Sequence, residues 1–290
     1  VVYLGLCDRN SSKSAIKTFA KRLLVSSPGE PEMKNACETK RSSRYRRNVL
    51  DLIELFGGRA QKAHLICFVD MSRIESRRAE LTASGHHLTV TSFLLKAISI
   101  AQESHPISRT LRLPLGRTVT FNDVVAGFTV ERFIDGEPFV FFGEIDKPCQ
   151  KTLIEIAEEL RQYSDLPIDK VAVLNRQKRF TEWPSFLRQI ILHLGIWFPA
   201  FRLLCNSATF GLSSLGAIGV KTVIGPSVCT SVFGVGAVEL APVVKDGEIV
   251  IRSIMSLSLN YDQDVMDGAQ AARFLQEARN LLESCSEAEF

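Results

Sequence analysis

No cysteine of this chain stands in a Cys-x-x-Cys pair, and no histidine pair sits beside one at metal-ligand spacing. The seven cysteines (Cys7, Cys37, Cys67, Cys149, Cys205, Cys229, Cys285) are odd in number and scattered, so neither a zinc site nor a disulfide framework is expected. A reducing, cytoplasmic compartment is the default that follows. Cys67 and Cys229 lie inside apolar runs and read as small core residues. A surplus of one charge is missing too: 35 basic and 32 acidic residues leave +3, too little for a dedicated nucleic-acid binder. Repeats and low-complexity tracts are absent. The apolar residues 1–6 have no basic region before them and no small-residue cleavage site after, so no signal peptide is expected. The most apolar stretch, 183–204, contains Arg188, His193 and Arg202 and is broken by Pro199, which makes it a poor bilayer span. A buried or subunit-facing helix is expected there. Membrane contact through Trp197 and the arginines is the lesser reading.

What is present is core material: 46% of the 290 residues are hydrophobic, enough for one large α/β domain. Residues 1–43 read as a polar, basic extension, with a short amphipathic helix over 13–25 and the breaker Ser26-Ser27-Pro28-Gly29-Glu30-Pro31. The basic cluster around Arg44, Arg46 and Arg47 reads as a solvated helix start feeding Val49, Leu52, Ile53 and Phe56. Residues 65–70 predict a buried strand, 72–82 a charged helix, and 89–102 an amphipathic helix stopped by Pro106. Strands are expected over 117–133, 138–145, 207–213, 229–238 and 248–260. A helix over 150–163 sets Leu153, Ile156, Ala157 and Leu160 against a charged face, and a last helix runs over 268–282.

Three local patterns carry no chemistry. His86-His87 has no Asp-Gly at the spacing an acyl-transfer motif needs. Asp169-Lys170-Val171 lacks the small all-β module of a lipoyl domain, so no lipoyl attachment site is expected. Gly234-x-Gly236 lacks the third glycine and helix of a dinucleotide fingerprint.

The last third is informative. Residues 208–220 (ATFGLSSLGAIGV), 242–250 (PVVKDGEIV) and 257–275 (LSLNYDQDVMDGAQAARFL) follow in order. Together they strongly resemble the catalytic domain of the dihydrolipoamide acyltransferases of 2-oxoacid dehydrogenase complexes, which has the chloramphenicol acetyltransferase-like fold. Arg46-Arg47-Asn48-Val49 and 88–106 extend the likeness to roughly 44–284. The resemblance implies a two-layer α/β (α+β) sandwich with a mixed β-sheet over 44–290, assembled as a homotrimer or beyond. It implies a channel between subunits that takes an acyl thioester, such as acyl-coenzyme A, and a small-molecule acceptor. In such a site a histidine of the motif D-H-R-x-x-D-G removes the acceptor's proton, and a hydroxyl from the neighbouring subunit stabilises the oxyanion.

Carried onto this chain, Ser213 is the oxyanion-stabilising hydroxyl and Asp267-Gly268 are the motif's Asp-Gly. Ser214, Gly216 and Gly268 are the positions assigned to thioester contact, and no metal is implied. The motif reads Asp262-Gln263-Asp264-Val265-Met266-Asp267-Gly268, so Gln263 holds the histidine's place and Asp264 the arginine's. A carboxamide orients a ligand but is no base near pH 7. Three functions are therefore open: acyl transfer with altered machinery, a catalytically silent structural or regulatory subunit, and a small-molecule-binding trimer with non-acyl chemistry.

Overall fold

The computed structural model describes residues 43–58, 60–134, 136–286 and 290. The chain divides between Arg41 and Ser42, and all described residues belong to the second unit. The expected helix over 13–25 and the extension 1–43, Ser43 excepted, lie outside them.

Helix α1 (Arg44–Leu52) is capped by Ser43, whose Oγ accepts from the Arg46 amide at 3.2 Å, and runs on into a π turn, Ile53–Gly57. There follow β1 (Lys62–Asp70), α2 (Ser72–Ala83), α3 (Val90–Ser104), β2 (Thr110–Arg112), β3 (Thr118–Thr120), β4 (Val125–Ile134) and β5 (Glu137–Asp146). Next come α4 (Leu153–Asp165), α5 (Ala172–Glu182), α6 (Ser185–Trp197), α7 (Pro199–Cys205), β6 (Phe210–Ser214), β7 (Ser231–Lys245), β8 (Glu248–Asp262) and α8 (Gly268–Ser284). Six strands form one mixed sheet in the order β1-β8-β7-β6-β4-β5, with β7/β6 and β6/β4 parallel and the other pairs antiparallel. β2 and β3 make a separate two-stranded ribbon.

The alternation in β8 explains the layering. Leu257, Leu259 and Tyr261 face the helical side and join the core around Phe93, Phe233 and Phe274. The intervening Ser256, Ser258 and Asn260 are also buried, because a strap over residues 216–227 crosses the other face. Thr222 Oγ1 lies 3.0 Å from Ser256 Oγ, Ser258 donates to the Val223 carbonyl, and Asn260 Nδ2 donates to the Gly225 carbonyl at 2.7 Å. The strap lies so close to β7 that a Cβ on Gly236 would stand 1.9 Å from the Lys221 carbonyl oxygen. That approach, rather than cofactor binding, accounts for Gly234-x-Gly236.

Three expectations need correction. The strand over 65–70 is not buried: β1 is an edge strand of the sheet, paired with β8. Ile66 and Phe68 are left 49% and 64% exposed, and Cys67 is half-buried; Cys229 is buried as expected. The strand expected to stop at 238 continues to Lys245, because Asp246 and Gly247 (φ 53° and 85°) make the two-residue turn of a long β7–β8 hairpin. The helix over 89–102 is not one-faced. Its polar residues Ser92, Lys96, Ser99 and Gln102 are buried with the rest. Lys96 Nζ answers the Cys149 and Lys151 carbonyls at 2.6 and 2.7 Å, and Gln102 Oε1 accepts from Thr209 Oγ1 at 2.6 Å.

The apolar stretch 183–204 folds as α6 and α7, broken at Phe198-Pro199. It is not buried within the protomer: Phe186, Ile190 and Trp197, spaced along one side of α6, are 64%, 52% and 46% exposed. No described helix is long and apolar enough to cross a membrane.

Candidate active site

The sheet register fixes where Ser213 and Gln263 stand. Ser213 on β6 lies opposite Gly234 on β7, which lies opposite Ser258 on β8. The motif begins four residues beyond Ser258, at Asp262, so the two ends of the site are about 13 Å apart along the strands and about 10 Å apart across them. Within one protomer they do not meet.

Ser213 lines an apolar cavity of about 170 Å³ with Phe128, Phe142, Pro226 and Val232. Its hydroxyl has no hydrogen-bond partner among the described residues, so it is free to donate to a ligand. Ser214 next to it is exposed. Gly216 is required for packing: a Cβ there would lie 2.4 Å from the Gly236 carbonyl oxygen.

The motif closes β8 and starts α8. The Gln263 amide donates to the Gln61 carbonyl at 2.7 Å, which ties the motif to the lead-in of β1, and the side chain is exposed. Asp267 is the N-cap of α8. Its Oδ1 accepts from the Gln270 amide at 2.8 Å, while Gln270 Oε1 accepts from the Asp267 amide at 3.0 Å. Gly268 opens the helix and is exposed.

Asp262 and Asp264 line a second cavity, of about 270 Å³, with Arg112, Arg202, Ser227 and Thr230. Asp262 Oδ1 accepts from the Asp264 amide at 3.0 Å, and Asp264 Oδ2 pairs with Arg112 Nη1 at 2.6 Å. Burial pushes the Asp262 carboxyl above the ordinary range, opposed by Arg112 and by Lys62, its cross-strand partner. Arg202 is held by the Val228 carbonyl and by the Phe56 ring, 4.4 Å below its guanidinium. None of the chain's histidines lines either cavity. His86 and His87 lie in the loop after α2, and His105 is 2.7 Å from Glu277. Among the described residues no three His, Cys, Asp or Glu side chains gather as metal ligands.

Sequence reasoning missed Arg112, Arg202 and the ribbon β2–β3 that presents Arg112. Nothing local marks an arginine whose partner lies on a distant segment. The cation-poor motif was the available hint, since Asp262 and Asp264 so close together need a counter-charge.

Residues 205–289 match the 2-oxoacid dehydrogenases acyltransferase (catalytic domain) family. The lipoamide acyltransferase component of the branched-chain alpha-keto acid dehydrogenase complex of Pseudomonas putida is 42% identical over 80 residues, 27% of this chain and 19% of that protein. The dihydrolipoyllysine-residue acetyltransferase component of the acetoin cleaving system of Bacillus subtilis is 25% identical over 74% of this chain and 47% of its own length. The chain thus spans less than half the length of these relatives. Among solved structures, the dihydrolipoamide acetyltransferase of Azotobacter vinelandii superposes with a TM-score of 0.66 at 23% identity, covering 90% of this chain and 97% of that one. A chain of the cubic core of the pyruvate dehydrogenase multienzyme complex gives 0.64 at 23% identity, over 90% and 97%.

Proposed function

We propose that the protein moves an acyl group from a thioester, such as acyl-coenzyme A, to a small-molecule acceptor; the match of residues 205–289 to the acyltransferase catalytic-domain family and the fold shared with the solved acetyltransferase cores support this reading. The transfer runs with altered machinery, at a site completed by a neighbouring copy in a homotrimer. The observation that carries this reading is the separation of Ser213 from the motif within one protomer. Each lines its own cavity, and a second copy is the means of bringing a free hydroxyl to face Gln263. Spacing supports the assignment. In the Azotobacter vinelandii enzyme, investigated for the roles of a serine, a histidine and an asparagine in its mechanism, the histidine follows the serine by 52 residues and the asparagine follows by four more. Ser213, Gln263 and Asp267 are 50 and four apart.

In this reading Ser213 donates to the carbonyl oxygen as negative charge develops on it. Gln263 orients the acceptor, and Asp267 fixes the start of α8 and with it the motif's backbone. Ser214, Gly216 and Gly268 flank the thioester. No group at position 263 takes the acceptor's proton, so the step is slow by the worth of a general base, about 10²–10⁴-fold. A reducing, cytoplasmic setting is part of this reading, as the scattered, odd number of cysteines suggests. A catalytically silent subunit is the second reading, favoured by the replacement of both His and Arg in one motif.

The test compares the protein with Gln263→His, following thiol release from a panel of acyl-coenzyme A thioesters with thiol, hydroxyl and amine acceptors. A rise of about 10²–10⁴-fold in the His variant supports the proposal. No turnover by either protein with any pair overturns it in favour of the silent subunit.

A further inference from the structure

Helices α1, α5, α6 and α7 enclose a cavity of about 500 Å³ that shares no lining residue with the cavities at Ser213 and at the motif. Its walls are apolar, with Leu52, Phe180, Trp183, Ile191 and Leu204. Trp183 and Leu204 are 49% and 64% exposed, so the space opens to solvent between them.

Five polar residues also line it; Asn175, Arg176 and Gln177 are engaged by the Asp169 carbonyl, Glu144 and the Phe142 backbone, which leaves Asn48 and Arg179. Asn48 on α1 is only 5% exposed, and its Oδ1 is buried with no hydrogen-bond partner among the described residues. Buried acceptors are satisfied in the great majority of folded proteins, so an orphan on a cavity wall points to a missing donor. Arg179 on α5 also lines the cavity, is exposed, and has no carboxylate partner among the described residues. Its neighbour Arg176 is already engaged by Glu144 at 2.9 Å. The volume falls in the range of small-molecule sites, which combine apolar walls with a few polar groups that set orientation.

We infer that this cavity binds a small amphiphile with an aliphatic body, a hydroxyl that donates to Asn48 Oδ1, and a carboxylate that meets Arg179. A medium-chain 3-hydroxycarboxylate has that chemistry. The inference is independent of the acyl-transfer reading, because no residue is shared.

The chain holds two tryptophans, so Trp197→Phe leaves Trp183, in the cavity wall, as the sole reporter of occupancy. In that background decanoate, 3-hydroxydecanoate and decanol are titrated below their aggregation concentrations while Trp183 emission is followed. Saturable binding of one molecule per chain is expected, with the hydroxy acid about 2–10-fold tighter than decanoate. Affinity rises about fourfold for each methylene from octanoate to decanoate. Arg179→Gln weakens both carboxylates and leaves decanol unchanged. Asn48→Leu removes the preference for the hydroxyl and keeps decanoate binding, which also reports that the variant is folded. Non-saturating emission changes, or binding indifferent to both substitutions, overturn the proposal as adsorption to an apolar surface. Absence of binding, together with dissociation of an oligomer by Leu204→Asp in sedimentation, assigns the cavity to a second copy of the chain and overturns it equally.

Discussion

Arg112 Nη1 on β2 lies 2.6 Å from Asp264 Oδ2, so the carboxylate at the position where the acyltransferase motif carries an arginine is met by a cation from another part of the chain. The Asp264 carboxylate is thus not left unbalanced. On its other side Asp262 faces Lys62 across the β1–β8 pair. Position 263 thus stands between two carboxylates, one paired with Arg112 and the other facing Lys62.

Asp264→Arg alone sets two guanidinium groups against each other and destabilises the fold. The Arg112 and Asp264 side chains are 53% and 22% exposed, so the pair is worth about 0.5–1 kcal/mol. Arg112→Glu combined with Asp264→Arg restores that amount. A double-mutant cycle in urea measures it, and additive effects with no coupling contradict the pairing.

Asp267→Ala removes the N-cap of α8 and half of its capping box, at a cost of about 1 kcal/mol. Asp267→Asn keeps an acceptor for the Gln270 amide and costs little. Thermal melts of both variants separate them; equal losses would mean that the carboxylate charge, and not the cap, is what matters.

The fold was legible wherever one element was decided by its own residues. The helix over Leu153–Asp165 announced itself by Leu153, Ile156, Ala157 and Leu160, and the capping pair Thr152 and Glu155 sets its start. What was illegible depended on distant partners. The strand over 248–260 was legible, but nothing in it marks Ser256, Ser258 and Asn260 as buried under the strap over 216–227. The polar residues of α3 suggested a solvent face, but the Cys149 and Lys151 carbonyls and Thr209 satisfy Lys96 and Gln102 inside the core. Asp246-Gly247 was a readable hairpin signal that went unused. At the site, Ser213 and Asp267 are assigned through motif resemblance alone. Arg112 could not be, because its partner Asp264 is far away in sequence.

Gly236→Ala forces the strap away from β7, since the added Cβ would stand 1.9 Å from the Lys221 carbonyl oxygen. Backbone cannot give as a side-chain tip can, and the expected loss is about 1–3 kcal/mol. Denaturant unfolding checks it; an unchanged midpoint would mean the strap is not held in this close contact in solution.

Burial holds the Asp262 carboxyl above its ordinary pKa, so the ionised form is the penalised one in the folded protein. That penalty is complete above the folded pKa and fades as pH falls toward the unfolded value, about 3.9. Asp262→Asn, whose amide oxygen can still accept from the Asp264 amide, is expected to raise Tm at pH 7 by an amount that shrinks as the pH approaches 4. A lower Tm at pH 7 would show that attraction to Lys62 and Arg112 outweighs desolvation.

In the proposed function the site is shared between copies, with Ser213 from one protomer facing position 263 of the next. The direct measurement mixes two proteins, the unaltered chain and the double variant Ser213→Ala with Gln263→His, after dissociation and reassembly. Neither parent has both groups. Hybrid assemblies unite the Ser213 of one with the introduced histidine of the other, and thiol release well above either parent is predicted. If the single variant Gln263→His turns over while the mixture stays at the level of its parents, the two groups act within one protomer and the shared site is contradicted.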